Sequence, residues 1–261
     1  MKVIATAHNG FHSKFGVPRQ TESDSVLLTR IVFTPEYRVG EALRGIEAFS
    51  HLWLIWGFET PFAGGEKHYT EAEWSPTVRP PRLGGNTRVG VFATRSPNRP
   101  NRIALSSVRL LKVEDTPEGK TLLVQGADMM DGTPIYDIKP YLPYTDCHPD
   151  ATGGFTDAAP KRRLRVVWEN EESQGRALKS KVESSEFERS EAFSTNIERS
   201  EAFSTINGQS HKEIEEIIAA DPRPAYHNDA ERIYAFDYAD FNIRFKVEGN
   251  TATILHISCR E

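Results

Sequence analysis

The sequence is poor in cysteine, with only Cys147 and Cys259 among 261 residues and no C-x-x-C spacing. That excludes a disulfide framework and a thiolate zinc site, and makes a reducing compartment the default. No apolar run approaches the ~20 residues that a membrane helix needs. Mean hydropathy is −0.52, so a soluble protein is expected. The opening MKVIATAHNG lacks the apolar core of a secretory signal, which points to a cytoplasmic location. Templates of the common catalytic folds are absent too. No G-x-G-x-x-G opens a helix after a strand, no G-K-[ST] follows Gly84-Gly85, and no H-E-x-x-H occurs. Ser106-Ser107 has no nucleophile elbow around it. The eight histidines show no ligand spacing, so no metal is expected.

One further absence is local. Between Trp74 and Val113 there is no Asp or Glu at all. Residues 79–109 carry seven arginines, and Lys112 adds an eighth positive charge, in a chain whose net charge is −5. Guanidiniums beside Gly-Gly, Pro-Asn and Arg-Pro turns present donor forks to phosphate or carboxylate oxygens. With a sequence pI near 6.0, any nucleic-acid contact must use this patch rather than the overall charge.

The first half reads as short strands split by turn residues. Candidates are residues 3–7, 25–33, 88–94, 103–113, 122–127 and 135–139, with the apolar run SHLWLIWGF (50–58) as a strand buried on both faces. Residues 41–49 read as a short helix weakened by Gly45. This pattern predicts a mainly β chain whose N-terminal domain (1–150) is an antiparallel β-barrel. A strand at 162–169 and a polar linker complete residues 151–209. The linker contains the octapeptide ERSEAFST twice, at 188–195 and 198–205, a ten-residue period that fits no coiled coil. Residues 210–261 read as a small α+β domain. Its helix (210–220) has capping-box spacing at Ser210 and Glu213, and its strands 233–247 and 251–257 form a hairpin through Gly249.

Asp128, Asp131 and Asp137, with Tyr136, Lys139 and Tyr141, fall around a second turn. They read either as solvated turn residues or as the acidic and aromatic side of a pocket holding a ligand of both charges. His51, Trp53 and Trp56 read as packed core residues.

Several ordered motifs are recognisable. GVFATRSPNRPN (90–101), PTVRPPRLGGN (76–86), DGTPIYDIKPYLPY (131–144), VPRQ (17–20), RGIEAFSHLWL (44–54) and DPRPAY (221–226) resemble the TsaA/TrmO family. Its members are S-adenosylmethionine-dependent tRNA methyltransferases. The resemblance spans most of the chain except about residues 170–209. It implies a β-barrel methyltransferase acting as a homodimer on the anticodon arm of threonine tRNA. The substrate would be the N6-threonylcarbamoyladenosine beside the anticodon. Implied cofactor contacts are Pro18, Arg19, Gln20, Arg95, Leu105 and the turn Asp131, Gly132, Thr133, Pro134. Phe92, beside Arg95, joins them as an aromatic face for a sulfonium. Glu59 and Thr60 occupy a further cofactor-facing pair, where some members carry His-Gln. Arg102 stands where Pro is usual, Ala104 where Gly is, and the loop 62–74 is longer.

Arg79, Arg82, Arg99 and Arg102 are the candidates for RNA phosphates or the threonyl carboxylate. Asp131 is the candidate proton acceptor, with a turn-holding role as its alternative. Two other functions fit the same residues: a non-catalytic RNA-binding barrel and a nucleotide-binding regulator.

Overall fold

The computed structural model describes residues 1–20, 24–58, 74–117, 119–157, 163–169, 207–223 and 229–259. Glu59, Thr60, most of loop 62–74, the ERSEAFST repeat and part of DPRPAY lie outside the described residues. Two compact units emerge. The first comprises the described residues of Met1–Asn9, Pro18–Lys161 and Arg223–His227, the second those of Gly10–Val17, Arg162–Pro222 and Asn228–Glu261.

The first unit is a closed barrel. Strands β1 (Ala5–His8), β2 (Leu28–Phe33), β3 (His51–Gly57), β6 (Ile103–Thr116), β7 (Gly119–Gln125) and β8 (Pro134–Pro140) pair in the ring order β1-β2-β7-β6-β3-β8. Every pairing is antiparallel. Two short strands, β4 (Thr77–Val78) and β5 (Val89–Gly90), form a separate ladder inside the long β3–β6 connection. Alternation of side chains explains the core: Leu52, Leu54 and Trp56 of β3 point inward with Ile31, Val108, Leu122, Val124 and Ile135. The apolar run of β3 is therefore not buried on both faces, since His51, Trp53 and Ile55 remain half-buried on the outside. Strand β6 closes the ring because it is long enough to serve two partners. Its first half pairs with β3 and its second half with β7, with a register shift between Leu110 and Lys112.

Two expected elements differ. Residues 41–49 form two 3-10 turns, Gly40–Leu43 and Ile46–Ala48, separated at Gly45, whose φ of 86° only glycine adopts easily. Residues 88–94 hold two strand residues followed by a 3-10 turn, Val91–Ala93.

A buried-edge ion cluster ties β2 to β6. Arg30 Nε donates to Glu114 at 2.8 Å, and Lys112 Nζ lies 2.8 Å from the other carboxylate oxygen. Burial pushes the Glu114 carboxyl up, but these two cationic hydrogen bonds outweigh it and hold it below the ordinary value of 4.5. A carboxyl held low contributes stability that is present above the unfolded value and lost as pH falls through the folded value. Glu114→Gln is thus expected to lower Tm at neutral pH and to approach wild type in strong acid. A Tm difference independent of pH would contradict this.

The second unit has a four-stranded sheet in the order β10-β11-β12-β9. Its strands are β9 (Arg165–Trp168), β10 (Tyr234–Tyr238), β11 (Phe241–Glu248) and β12 (Thr251–Cys259). Residues 233–247 thus make two strands rather than one, turning at Ala239-Asp240 with Ala239 at φ 51°. Helix α2 (Asn207–Ala219) follows the short α1 (Pro143–Asp146) and buries Ile214, Ile217 and Ile218. It is described from Asn207, so Ser210 lies inside the helix and not at its cap. Glu213, expected to complete that cap, is instead buried beside Tyr238, whose hydroxyl is pushed well above its usual range by burial and then by Glu213.

Candidate functional site

Strand directions decide where the motifs meet. In the antiparallel ring β1, β3 and β7 run one way, and β2, β6 and β8 run back. The connections 9–27, 58–102 and 126–133 therefore all leave from the same end of the barrel. Pro18, Arg19 and Gln20 sit in the first loop. Phe92, Arg95, Arg79, Arg82, Arg99 and Arg102 sit in the second, and Asp131, Gly132 and Thr133 in the third, with Pro134 opening β8. Motifs more than a hundred residues apart share one rim.

A direct bond joins two of the loops. Arg95 Nη1 donates to Gln20 Oε1 at 2.8 Å, across 75 residues of sequence. Arg95 and Arg19 are exposed, so both guanidiniums face solvent at the rim. Phe92 is 73% exposed, and the Arg99 guanidinium carbon stands 5.9 Å from its ring centre. Arg99 also donates to the Thr94 and Ser96 carbonyls at 2.9 and 3.3 Å, which braces the SPNR turn. Arg79 and Arg82 are exposed and carry no ion pair among the described residues. Arg102 is half-buried. Leu105 lies on the outer face of β6, near the rim and half exposed.

The third loop is held mainly by backbone bonds. Gly132 N–H donates to the Ala7 carbonyl and Ala7 N–H to the Thr133 carbonyl, both at 2.9 Å, which extends the β1–β8 pairing. Gly132 has φ 78°, and Thr133 is buried. One Asp131 carboxylate oxygen lies 3.2 Å from His8 Nδ1 and accepts the Asn9 N–H at 3.2 Å. These contacts hold the loop against β1.

Two features of this rim escaped the sequence reading. One is His8, 123 residues from Asp131 in sequence. The other is a polar relay through the barrel wall. Trp56 Nε1 donates to Ser106 Oγ at 2.8 Å, and the Ser106 hydroxyl donates to Asp128. An indole N–H can only donate and a carboxylate only accepts, so the serine proton has one direction to point. Trp56 and Ser106 are nearly inaccessible, at 5% and 2% exposure, so Asp128 is the solvent-facing end. No local pattern marks the relay, because its partners are 50 and 22 residues apart.

The acidic and aromatic group expected around the second turn is divided. Asp128 and Asp131 stay at the rim. Asp137, Lys139 and Tyr141 run along β8 toward the opposite end, where Tyr141 packs 5.5 Å from Trp53. Trp53 Nε1 donates to Asp146, whose carboxyl is held low first by the Leu142 backbone N–H and then by this indole. Among the described residues no cluster of three or more His, Cys, Asp or Glu suited to a metal occurs, and no helix is long and apolar enough to cross a membrane.

Fold and rim together define a class: an antiparallel barrel whose loops at one end combine exposed guanidiniums, an exposed aromatic face and carboxylates. Residues 6–147 match the family described as tRNA-methyltransferase O N-terminal domain, and residues 185–260 match its C-terminal domain. The chain belongs to the tRNA-methyltransferase O family. It is 36% identical over 247 residues to the tRNA (adenine(37)-N6)-methyltransferase of Escherichia coli, covering 94% of this chain and 91% of the relative. The protein of the same name from Eikenella corrodens is 38% identical over 207 residues, covering 79% and 96%. A crystal structure of TrmO from Pseudomonas aeruginosa superposes with a TM-score of 0.67 at 26% identity, covering 98% of this chain and 96% of that one.

Proposed function

We propose that the protein is an S-adenosylmethionine-dependent methyltransferase of the tRNA (adenine(37)-N6) type, as its E. coli relative is named. Its substrate is the N6-threonylcarbamoyl form of that adenosine in threonine tRNA. The carrying observation is the gathering of VPRQ, FATR and DGTP onto one barrel rim, with Arg95 bonded to Gln20.

The rim's donor set fits S-adenosylmethionine, which carries a carboxylate beside two positive centres. Arg95 and Arg19 suit the carboxylate. Phe92 offers a ring face, and Asp128 and Asp131 offer negative charge, to the cationic parts. Leu105 supplies an apolar contact. When bound, the cofactor supplies a methyl group on a positively charged sulfur. The acceptor nitrogen is conjugated to the purine and to the carbamoyl carbonyl, so it attacks well only as its proton leaves. The chain's task is to hold the base in line and accept that proton, directly or through water, at a rim carboxylate.

Arg79 and Arg82 are best placed for phosphates of the anticodon arm or the threonyl carboxylate. Replacing both by Ala is expected to weaken tRNA binding and to shallow the log–log salt slope by about 0.7 to 0.9 per lost phosphate contact. An unchanged slope would remove them from the RNA surface. The enzyme works as a homodimer: Ile103 and Leu105, neighbours on the outer face of β6, are 39% and 49% exposed, an apolar contact for a second copy beside the cofactor.

Two measurements test the function. Calorimetry with S-adenosylmethionine separates the enzyme from a plain RNA-binding barrel, which gives no heat. Methyl transfer to threonine tRNA with and without the threonylcarbamoyl group tests the substrate, and equal labelling of both would contradict it.

A further inference from the structure

We infer that Tyr136 is a further cofactor-binding residue. With Ile103 and Leu105 it forms a plate on the outer barrel wall against which the cofactor's adenine ring stacks. The inference rests on the proposed reading of Leu105 and the Asp131–Pro134 turn as cofactor contacts.

A bulge puts Tyr136 on that wall. Ile135 and Ile138 both join the barrel core, although plain strand alternation would send them to opposite faces. The β3–β8 register shifts to allow it: Ile55 pairs with Asp137, and the next residue, Trp56, pairs with Ile135. Tyr136 is the extra residue on β8. Without the bulge it would point inward with Ile138; with it, Tyr136 turns outward beside Asp137. Bulges re-aim side chains in this way beside active sites.

Gly57 makes room for the ring. Strand β3 sends Leu52, Leu54 and Trp56 inward, so position 57 faces outward. A Cβ there would meet Tyr136 Cζ at 2.8 Å and Cε2 at 2.9 Å, and the hydroxyl oxygen closer still. The phenol end thus fills the space that a side chain at position 57 would need. Gly57 is buried although it faces outward, while the Tyr136 ring is half-buried and keeps part of its surface open.

Two exposed apolar side chains stand on the other side of β3. Ile103 of β6 is the direct partner of Gly57, and Leu105 is the partner of Ile55. They are 39% and 49% exposed. Diagonal neighbours on one sheet face lie within reach of an aromatic side chain, so the phenol over Gly57 adjoins both. The plate is at rim level: Gly57 ends β3, Ile103 opens β6, and Pro134 of the DGTP turn stands two residues before Tyr136.

The plate's chemistry selects its ligand. Its ring and aliphatic carbons bear no charge, and Asp137, the neighbour on β8, lies 3.5 Å from Lys139 Nζ. Such a surface suits the flat, uncharged purine better than the charged amino-acid end of the cofactor. Stacking on an aromatic ring covers the purine face and leaves its edges for hydrogen bonds. Arg95 and the rim carboxylates are then left for the charged groups. A tRNA base offers the same flat face, and the experiment separates the two.

The test uses the full-length protein with Tyr136→Leu, Tyr136→Phe and Gly57→Ala. Calorimetric Kd is measured for S-adenosylmethionine and for S-adenosylhomocysteine, which has the same adenine but a neutral sulfur. KM and kcat for methyl transfer, tRNA Kd, Tm and the oligomeric state by sedimentation are measured beside it. Tyr136→Leu is expected to raise Kd for both cofactor forms about tenfold, within the range that truncating a base–aromatic stack gives. The loss falls on KM for the cofactor rather than on kcat. Tyr136→Phe keeps the ring and restores most of the affinity. Gly57→Ala pushes the phenol aside and weakens binding in the same way, but adds nothing further to Tyr136→Leu. A rise for S-adenosylmethionine alone would overturn the inference, because the ring would then face the sulfonium. Weaker tRNA binding or dimerisation with cofactor Kd unchanged also overturns it, and assigns Tyr136 to the RNA or to the second copy. A lowered Tm with every Kd unchanged leaves only a structural residue and overturns it too. Should Tyr136→Leu fail to fold, Gly57→Ala is read by the same criteria. Wild-type protein that binds no S-adenosylmethionine overturns the functional reading and this inference together. Wild type that binds and transfers, with Tyr136→Leu equal to it in Kd, overturns the stacking role alone.

Discussion

Asp128→Asn is expected to cut kcat/KM for methyl transfer by roughly 10²-fold while leaving the barrel folded. The substitution keeps the shape of the side chain, and its amide oxygen still accepts the Ser106 hydroxyl, so the relay from Trp56 survives. Only the negative charge goes. That charge sits at the rim that gathers the motifs proposed to hold the cofactor. A carboxylate facing a cationic cofactor and a departing proton serves both ground state and transition state. If it only neutralises the cofactor, the loss falls on KM. If it takes the proton, kcat falls as well. Wild-type rates in Asp128→Asn would reduce the relay to a structural role.

Ser106→Ala tests the other end of the relay. It leaves the buried Trp56 N–H without its acceptor, a cost of about 1–3 kcal/mol in stability. It also removes a donor from Asp128. The two variants thus separate stability from chemistry: Ser106→Ala lowers Tm and activity together, whereas Asp128→Asn lowers activity alone. Asp131→Asn differs again. The Asn9 N–H can still bond to the amide oxygen, while the pairing with His8 loses its charge.

The residues that make up the rim were legible because they travel in short motifs with unusual composition. An acid-free block of arginines, a DGTP turn and VPRQ can each be read without coordinates. The barrel was legible from alternation and from frequent turn signals. What could not be read were relations that need the ring closed. Gln20 and Arg95, Trp56 and Ser106, and His8 and Asp131 are brought together only when three upward strands deliver their loops to one end. The split of the acidic cluster has the same origin. Asp131 and Lys139 are close in sequence, but β8 rises about 3.3 Å per residue, so a few strand positions carry Lys139 far from the rim. The extra turn at Ala239-Asp240 carries no glycine or proline, so composition gave no sign of it.

Arg95→Ala is expected to weaken S-adenosylmethionine binding by roughly ten- to a hundredfold, the effect of losing a charged hydrogen-bonding group worth about 1.5–3 kcal/mol. Two losses combine. The guanidinium is one of the rim's exposed cations for a carboxylate, and its bond to Gln20 holds the first loop against the second. Arg95→Lys keeps the charge but lacks the planar fork, so it cannot span Gln20 and a carboxylate together and restores little of the affinity. Gln20→Ala isolates the second loss, since it removes the inter-loop bond and leaves the cation in place. The salt dependence of tRNA binding is the deciding comparison. On the proposed assignment of Arg95 to the cofactor, its removal leaves the log–log slope unchanged, whereas loss of Arg79 and Arg82 shallows it. A slope that falls for Arg95→Ala with cofactor affinity intact would transfer Arg95 to the RNA surface and leave the cofactor carboxylate to Arg19.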